Sequence, residues 1–175
     1  KTDTFLRDFF YKTAWYLVRY AKKHQVDVIV IGHNEDQKQN IRIGKQNNQN
    51  FVSMPTGLLK QMIIYKASDA GIKTIMQEES YTSQADITAM DYIPVYGVDA
   101  ENAVFSGRRI SRSLYRCFNG MIINADCNGA ANIMRKAITD AWNSITDFSF
   151  LASPEVSGFH ELNPKSNSVR GIDAV

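Results

Sequence analysis

The chain has 175 residues, 44% hydrophobic and 22% charged, enough for one globular domain with appendages rather than two full domains. No apolar run reaches membrane-spanning length and Lys1-Thr2-Asp3 lacks the features of a secretory signal, so membrane and secreted classes drop out and a cytosolic protein is expected. A net charge of +2 does not argue for nucleic acid by itself; the placement of Lys and Arg decides that.

In chain order, Asp3 or Thr4 can cap a helix whose apolar positions Leu6, Phe9, Phe10, Leu17, Val18 and Ala21 recur at helical spacing up to Lys22-Lys23. Val26 to Ile31 reads as a continuously apolar, β-branched strand of the doubly buried kind, closed by Gly32-His33-Asn34. Glu35 to Asn50 is polar, rich in Gln and Asn, and reads as a loop carrying Lys38, Arg42 and Lys45.

Pro55 suits the first turn of a helix with Leu58, Leu59, Met62, Ile63 and Ala67, stopped by Gly71. Ile72 to Met76 is the next strand, and strand, helix and strand make a crossover unit with a parallel pair. From Ser83 to about Gly120 the periodicity fails, which predicts an insertion with one hairpin. Arg108, Arg109, Arg112 and Arg116 stand near its end, interleaved with Ile110, Leu114 and Tyr115. Met121 to Ile123 predicts a strand, and Asn128 to about Trp142 a helix with Ile133, Met134, Ala137 and Ile138 on one side. Beyond Trp142 no period is visible, and the stretch from Ser153 onward is expected to be disordered or loosely packed.

Two carboxylate-tipped elements carry the chemistry. Asp126 lies between an apolar strand and a helix of small residues, where it suits a metal ligand and equally a helix N-cap; from spacing alone the cap reading comes first. Glu78-Glu79 closes the run from Ile72 to Met76, with one of two consecutive side chains facing each way; its bland alternative is an exposed acidic pair. Together they point to metal-assisted chemistry on phosphates. The arginine group can contact phosphate, against the alternative of a solvated hairpin face. Cys117 and Cys127 make neither a disulfide framework nor a zinc set and read as ordinary reduced thiols. No Ser-His-Asp order, phosphate loop or dinucleotide fingerprint is present, and His24, His33 and His160 read as incidental or structural.

The string Asp126-Cys127-Asn128-Gly129-Ala130-Ala131-Asn132-Ile133, with Tyr81-Thr82-Ser83-Gln84 upstream and the segment from Lys38-Gln39-Asn40 through Asn47-Asn48-Gln49-Asn50-Phe51, resembles the C-terminal half of the OrfB/TnpB proteins. These are RNA-guided, RuvC-like nucleases of bacterial insertion sequences, related to the type V CRISPR effectors. The resemblance runs from about Phe5 to Ala137. It implies an α/β, RNase H-like (RuvC-like) core lacking its N-terminal strands, in two parts (residues 1–82 and 121–142), with a degenerate zinc-ribbon-like insertion (83–120) and an irregular or disordered tail (143–175).

The resemblance further implies a Mg²⁺- or Mn²⁺-dependent DNA endonuclease with guide RNA and target DNA as partners, using Asp126 with Glu79 or Glu78. It also implies that the first catalytic Asp lies upstream; Lys1 in place of an initiating Met fits a piece of a longer chain, and this piece alone is expected to be inactive. In most members the second acid closes the strand corresponding to Val26–Ile31, a position held here by Gly32; Glu79, ahead of Glu78, is the expected replacement. The ribbon's Cys-x-x-Cys pairs are reduced to Cys117, so no structural zinc is expected, and Tyr92, Tyr96, Phe105 and Phe118 are expected to hold that backbone instead. The alternatives are a nuclease-dead, RNA-guided DNA-binding module and a transposon remnant.

Overall fold

The structure is a computed structural model that describes residues 2–34, 56–99, 101, 103–157 and 162. Lys38, Arg42 and Lys45, with the predicted loop that bears them, lie outside the described residues, as does nearly all of the tail beyond Ser157. Among the described residues the chain is mixed α/β with two small sheets. It divides into two compact units: Lys1–Ile29, Asp36–Thr74 and Val156–Val175 form one, Val30–Glu35 and Ile75–Glu155 the other. No described helix is long and apolar enough to cross a membrane.

In the first unit α1 (Thr2–Lys23) packs on α2 (Thr56–Asp69). Val18 and Ala21 of α1 meet Ala67 of α2 and Ile72 in a small apolar core, so the helical spacing read from the sequence is the packing stripe. Gly71, at φ 75°, ends α2 in the left-handed conformation that favours glycine.

Strand β1 (Val28–His33) pairs with β2 (Lys73–Glu78). The amide of Lys73 donates to Asp27 O (3.0 Å) and that of Glu79 to His33 O (3.2 Å). The same advance on both strands makes the pair parallel, as the crossover reading requires. Both strands lie about two residues later than predicted. Gly32 and His33 are therefore inside β1, and Glu78 is the last residue of β2.

The second unit holds the antiparallel sheet β3 (Arg108–Arg109), β4 (Leu114–Arg116) and β5 (Ile122–Asn124), in that order. Chain then passes directly into α3 (Ala125–Ala137). Tyr115 pairs with Ile123 in register, both fully buried. They form a core with Ile87, Cys117, Ala125, Ala131, Phe148 and Leu151. The last two belong to the irregular stretch after Trp142 and pack it onto this core. Phe148 and Leu151 flank and enter a 3₁₀ turn (Ser149–Ala152) whose apolar residues are too few to show a period, yet they are buried, and Trp142 Nε1 ties the stretch to Ala131 O (3.0 Å). Helix α3 also starts three residues earlier and ends five earlier than predicted.

Candidate nuclease site and arginine hairpin

The start of α3 is set by Asn124, not by Asp126. Its side-chain oxygen accepts the amides of Asp126 (2.9 Å) and Cys127 (3.0 Å), the N-cap arrangement. Asp126 is left as an acidic residue in the first helical turn, favourable beside the positive helix end. The competing role open to Asp126 in the sequence is thus taken by its neighbour. Its side chain is 85% exposed, and Oδ1 accepts a hydrogen bond from Arg109 Nη2 at 3.0 Å.

Glu78 and Glu79 have different surroundings. The Glu78 carboxylate is ion-paired to Lys136 of α3 and also accepts the amide of Ser80 (2.5 Å). Partial burial raises its pKa, but the hydrogen bonds from Lys136 and Ser80 and the Lys136 charge outweigh that, leaving it below the ordinary value. Glu79 extends across the end of β1, where its carboxylate fills the space that a Cβ on Gly32 would take. Ile133 of α3 closes the same notch, its Cδ1 2.9 Å from that Cβ position. Ile133 and Asp126 are seven residues apart on α3, so they share one stripe of the helix, separated by about 10 Å of axial rise. Among the described residues no group of three or more His, Cys, Asp or Glu is placed to hold a metal ion. Asp126 lies on Arg109 and Glu79 in the notch at Gly32, each a hard oxygen donor of the kind a divalent cation takes.

The predicted hairpin is β3–β4. Arg109 stands opposite Tyr115, on the side that reaches Asp126; Arg108 stands opposite Arg116 on the outer face. Arg108, Arg112 and Arg116 are exposed and make no ion pair among the described residues. Like charges directly opposite on a sheet repel, so this row is destabilising in the absence of an anion.

The stretch between β2 and the hairpin is held by polar staples that the sequence reading missed. Asp86, fully buried, accepts the amide and hydroxyl of Thr88 (2.9 and 2.7 Å) and the Phe118 amide (2.6 Å). Asp91 accepts the amides of Asp86 (2.9 Å) and Ser106 (2.8 Å). From α3, the side-chain carboxamide of Asn128 donates to Ala85 O (2.8 Å) and accepts the Ile87 amide (3.2 Å), while that of Asn132 donates to Thr82 O (3.0 Å) and Ala85 O (2.7 Å). These bonds satisfy the backbone of an irregular segment that also carries Tyr81 at φ 64°.

The expectation that Tyr92, Tyr96, Phe105 and Phe118 hold this backbone is corrected. Tyr92, Tyr96 and Phe118 are more than half exposed, and Phe105 stacks on Tyr81 at 6.4 Å. Buried carboxylate and carboxamide hydrogen bonds do that work, together with Tyr115, whose hydroxyl reaches Gln84 O (2.6 Å). The signal for the Asn pair was present: two polar residues four apart face inward on a helix whose other inward residues are small.

Comparison with known proteins places this geometry in a context. Residues 57–133 match the family model described as Cas12f1-like, TNB domain. The chain is also 38% identical over 96 residues to the CRISPR-associated endodeoxyribonuclease Cas12f1 of Sulfoacidibacillus thermotolerans, covering 54% of this chain and 19% of that protein. It therefore spans about a fifth of the length of this relative. The segment similar to the Cas12f1-like TNB model takes in α2 from Gly57, β2, the stapled turn, the arginine hairpin and α3 as far as Ile133.

Proposed function

We propose that the chain is part of an RNA-guided DNA endonuclease of the Cas12/TnpB type, with an RNase H-like (RuvC-like) core to which Asp126 and Glu79 contribute metal-ligating carboxylates. The observation that carries this reading is the Glu79 carboxylate in the notch at Gly32. An acid from the neighbouring strand takes the place of the side chain that position 32 lacks. The pairing of Glu78 with Lys136 supports Glu79 over Glu78 in the ligand role. Asp126 is not used for capping, which Asn124 performs, and its carboxylate lies exposed on Arg109.

Asp126 and Glu79 would hold Mg²⁺ or Mn²⁺, which supplies charge neutralisation at the scissile phosphate and a more acidic bound water. Arg108, Arg112 and Arg116 bind the phosphate backbone of target DNA or guide RNA without reading sequence, which in guided systems is left to base pairing. The third acid comes from outside the described residues. Residues 83–120 take the place of a zinc ribbon, held by the hydrogen bonds of Asp86 and Asp91.

The test is metal-dependent cleavage of target DNA by the whole protein with its guide. Asp126→Ala and Glu79→Ala are expected to reduce cleavage at least ~100-fold, since loss of outer partners alone costs 10–100-fold at metal sites, and Glu78→Ala far less. A second reading, a nuclease-dead guided binding module, is favoured by the unneutralised Arg108–Arg116 row and by the lack of a three-ligand cluster among the described residues. Guided DNA binding without cleavage at any Mg²⁺ or Mn²⁺ concentration would establish it.

A further inference from the structure

Arg109 differs from the other arginines of the hairpin. Its register with Tyr115 turns it away from the outer Arg108–Arg116 row, and its Nη2 donates to Asp126 Oδ1 at 3.0 Å. A second tie fixes the hairpin to the same place: the amide of Ala125, the first residue of α3, donates to Ser113 O in the hairpin turn (2.8 Å). The surface suited to phosphate and the carboxylate proposed as a metal ligand are therefore linked through one guanidinium.

We infer that Arg109 is a positioning residue for Asp126 that makes metal loading depend on nucleic-acid binding, an inference that rests on the metal-site reading above. Without nucleic acid, the guanidinium holds the Asp126 carboxylate and repels a divalent cation. At ~5 Å in water-like surroundings, that repulsion lowers metal affinity about tenfold. The pair is exposed, Arg109 at 44% and Asp126 at 85%, so it is weak and displaceable. A backbone phosphate arriving on Arg108, Arg112 and Arg116 offers Arg109 a stronger, bidentate partner. Asp126 is then released to the cation. By linkage, bound metal raises nucleic-acid affinity by the same factor.

The experiment titrates the whole protein with Mn²⁺, followed by electron paramagnetic resonance, with and without a single-stranded DNA oligonucleotide, whose own Mn²⁺ binding is subtracted. In the native protein the oligonucleotide is expected to tighten Mn²⁺ binding about tenfold. Arg109→Gln should show the tighter binding without oligonucleotide and gain nothing from it, and Arg109→Lys should retain part of the coupling. Arg112→Gln should weaken oligonucleotide binding. Unfolding midpoints verify that each variant is folded.

Unchanged or weaker Mn²⁺ binding by folded Arg109→Gln overturns the inference. If Asp126→Asn removes a bound Mn²⁺ while Arg109→Gln changes nothing, the coupling alone is wrong. If Asp126→Asn also leaves Mn²⁺ binding intact, the metal-site reading falls and the coupling falls with it.

Discussion

The carboxylate of Glu79 occupies the volume that a side chain on Gly32 would fill. The two positions are adjacent strand ends of one parallel pair, so an acid can reach the same point in space from either one. Gly32→Ala is therefore expected to displace the Glu79 carboxylate and, through it, to lower metal-dependent cleavage at least ~10-fold with little change in circular dichroism. Glu79→Ala combined with Gly32→Glu should cleave better than Glu79→Ala alone, because the acid is returned to the vacated notch. Equal inactivity of the single and double variants would show that the notch is not the ligand position.

Glu78 has a structural assignment, and pH reports it. Its folded pKa is depressed, so the stability contributed by the Glu78–Lys136 pair is complete above the ordinary pKa of 4.5 and is lost as pH falls through the lower folded value. Because the Glu78 side chain is 41% exposed, screening limits the contribution to about 0.5–1 kcal/mol. Denaturant unfolding should show Glu78→Gln less stable than the native protein by that amount at pH 7, with the difference vanishing well below pH 4.5.

Asn132 serves two carbonyls, those of Thr82 and Ala85. Asn132→Leu strands the Thr82 carbonyl in a buried site, at about 1–3 kcal/mol, and removes one of the two bonds to Ala85 O. Asn128→Leu strands the Ile87 amide and removes a second bond to Ala85 O. Each variant should lose about 2–4 kcal/mol in chemical denaturation, more than any single exposed arginine variant.

Cys117 is buried beside Thr88 and Asp86, and burial pushes its thiol up to about 11. Alkylation requires the thiolate, so Cys117 should resist iodoacetamide at pH 7 in the folded protein and react once it is unfolded. Mass spectrometry of the modified peptide, followed across a denaturant series, checks this.

Much of the fold was legible because it depends on periodicity. The stripe of Val18 and Ala21, the glycine stop at Gly71 and the parallel pair all follow from spacing. The site was legible only in part. Asp126 and the Glu pair stood out as acids at element ends, but which Glu faces Gly32 depends on the register of β2, where a slip of a single residue changes the face. Asp86 was missed because its burial depends on Phe118, 32 residues away in the chain, which no local pattern records; the spacing of Asn128 and Asn132 marks an inward face but not the distant backbone groups they serve.

The carboxamides of Asn128 and Asn132 lie outside the span 83–120 whose backbone they complete. Excised at those limits, the segment would carry its own hydrogen-bonding debts into water and stay unstructured. Its ordering must coincide with that of α3, so the arginine hairpin is no transplantable module: it comes into being only when the helix bearing Asp126 does, and a graft into another protein has to bring that helix along.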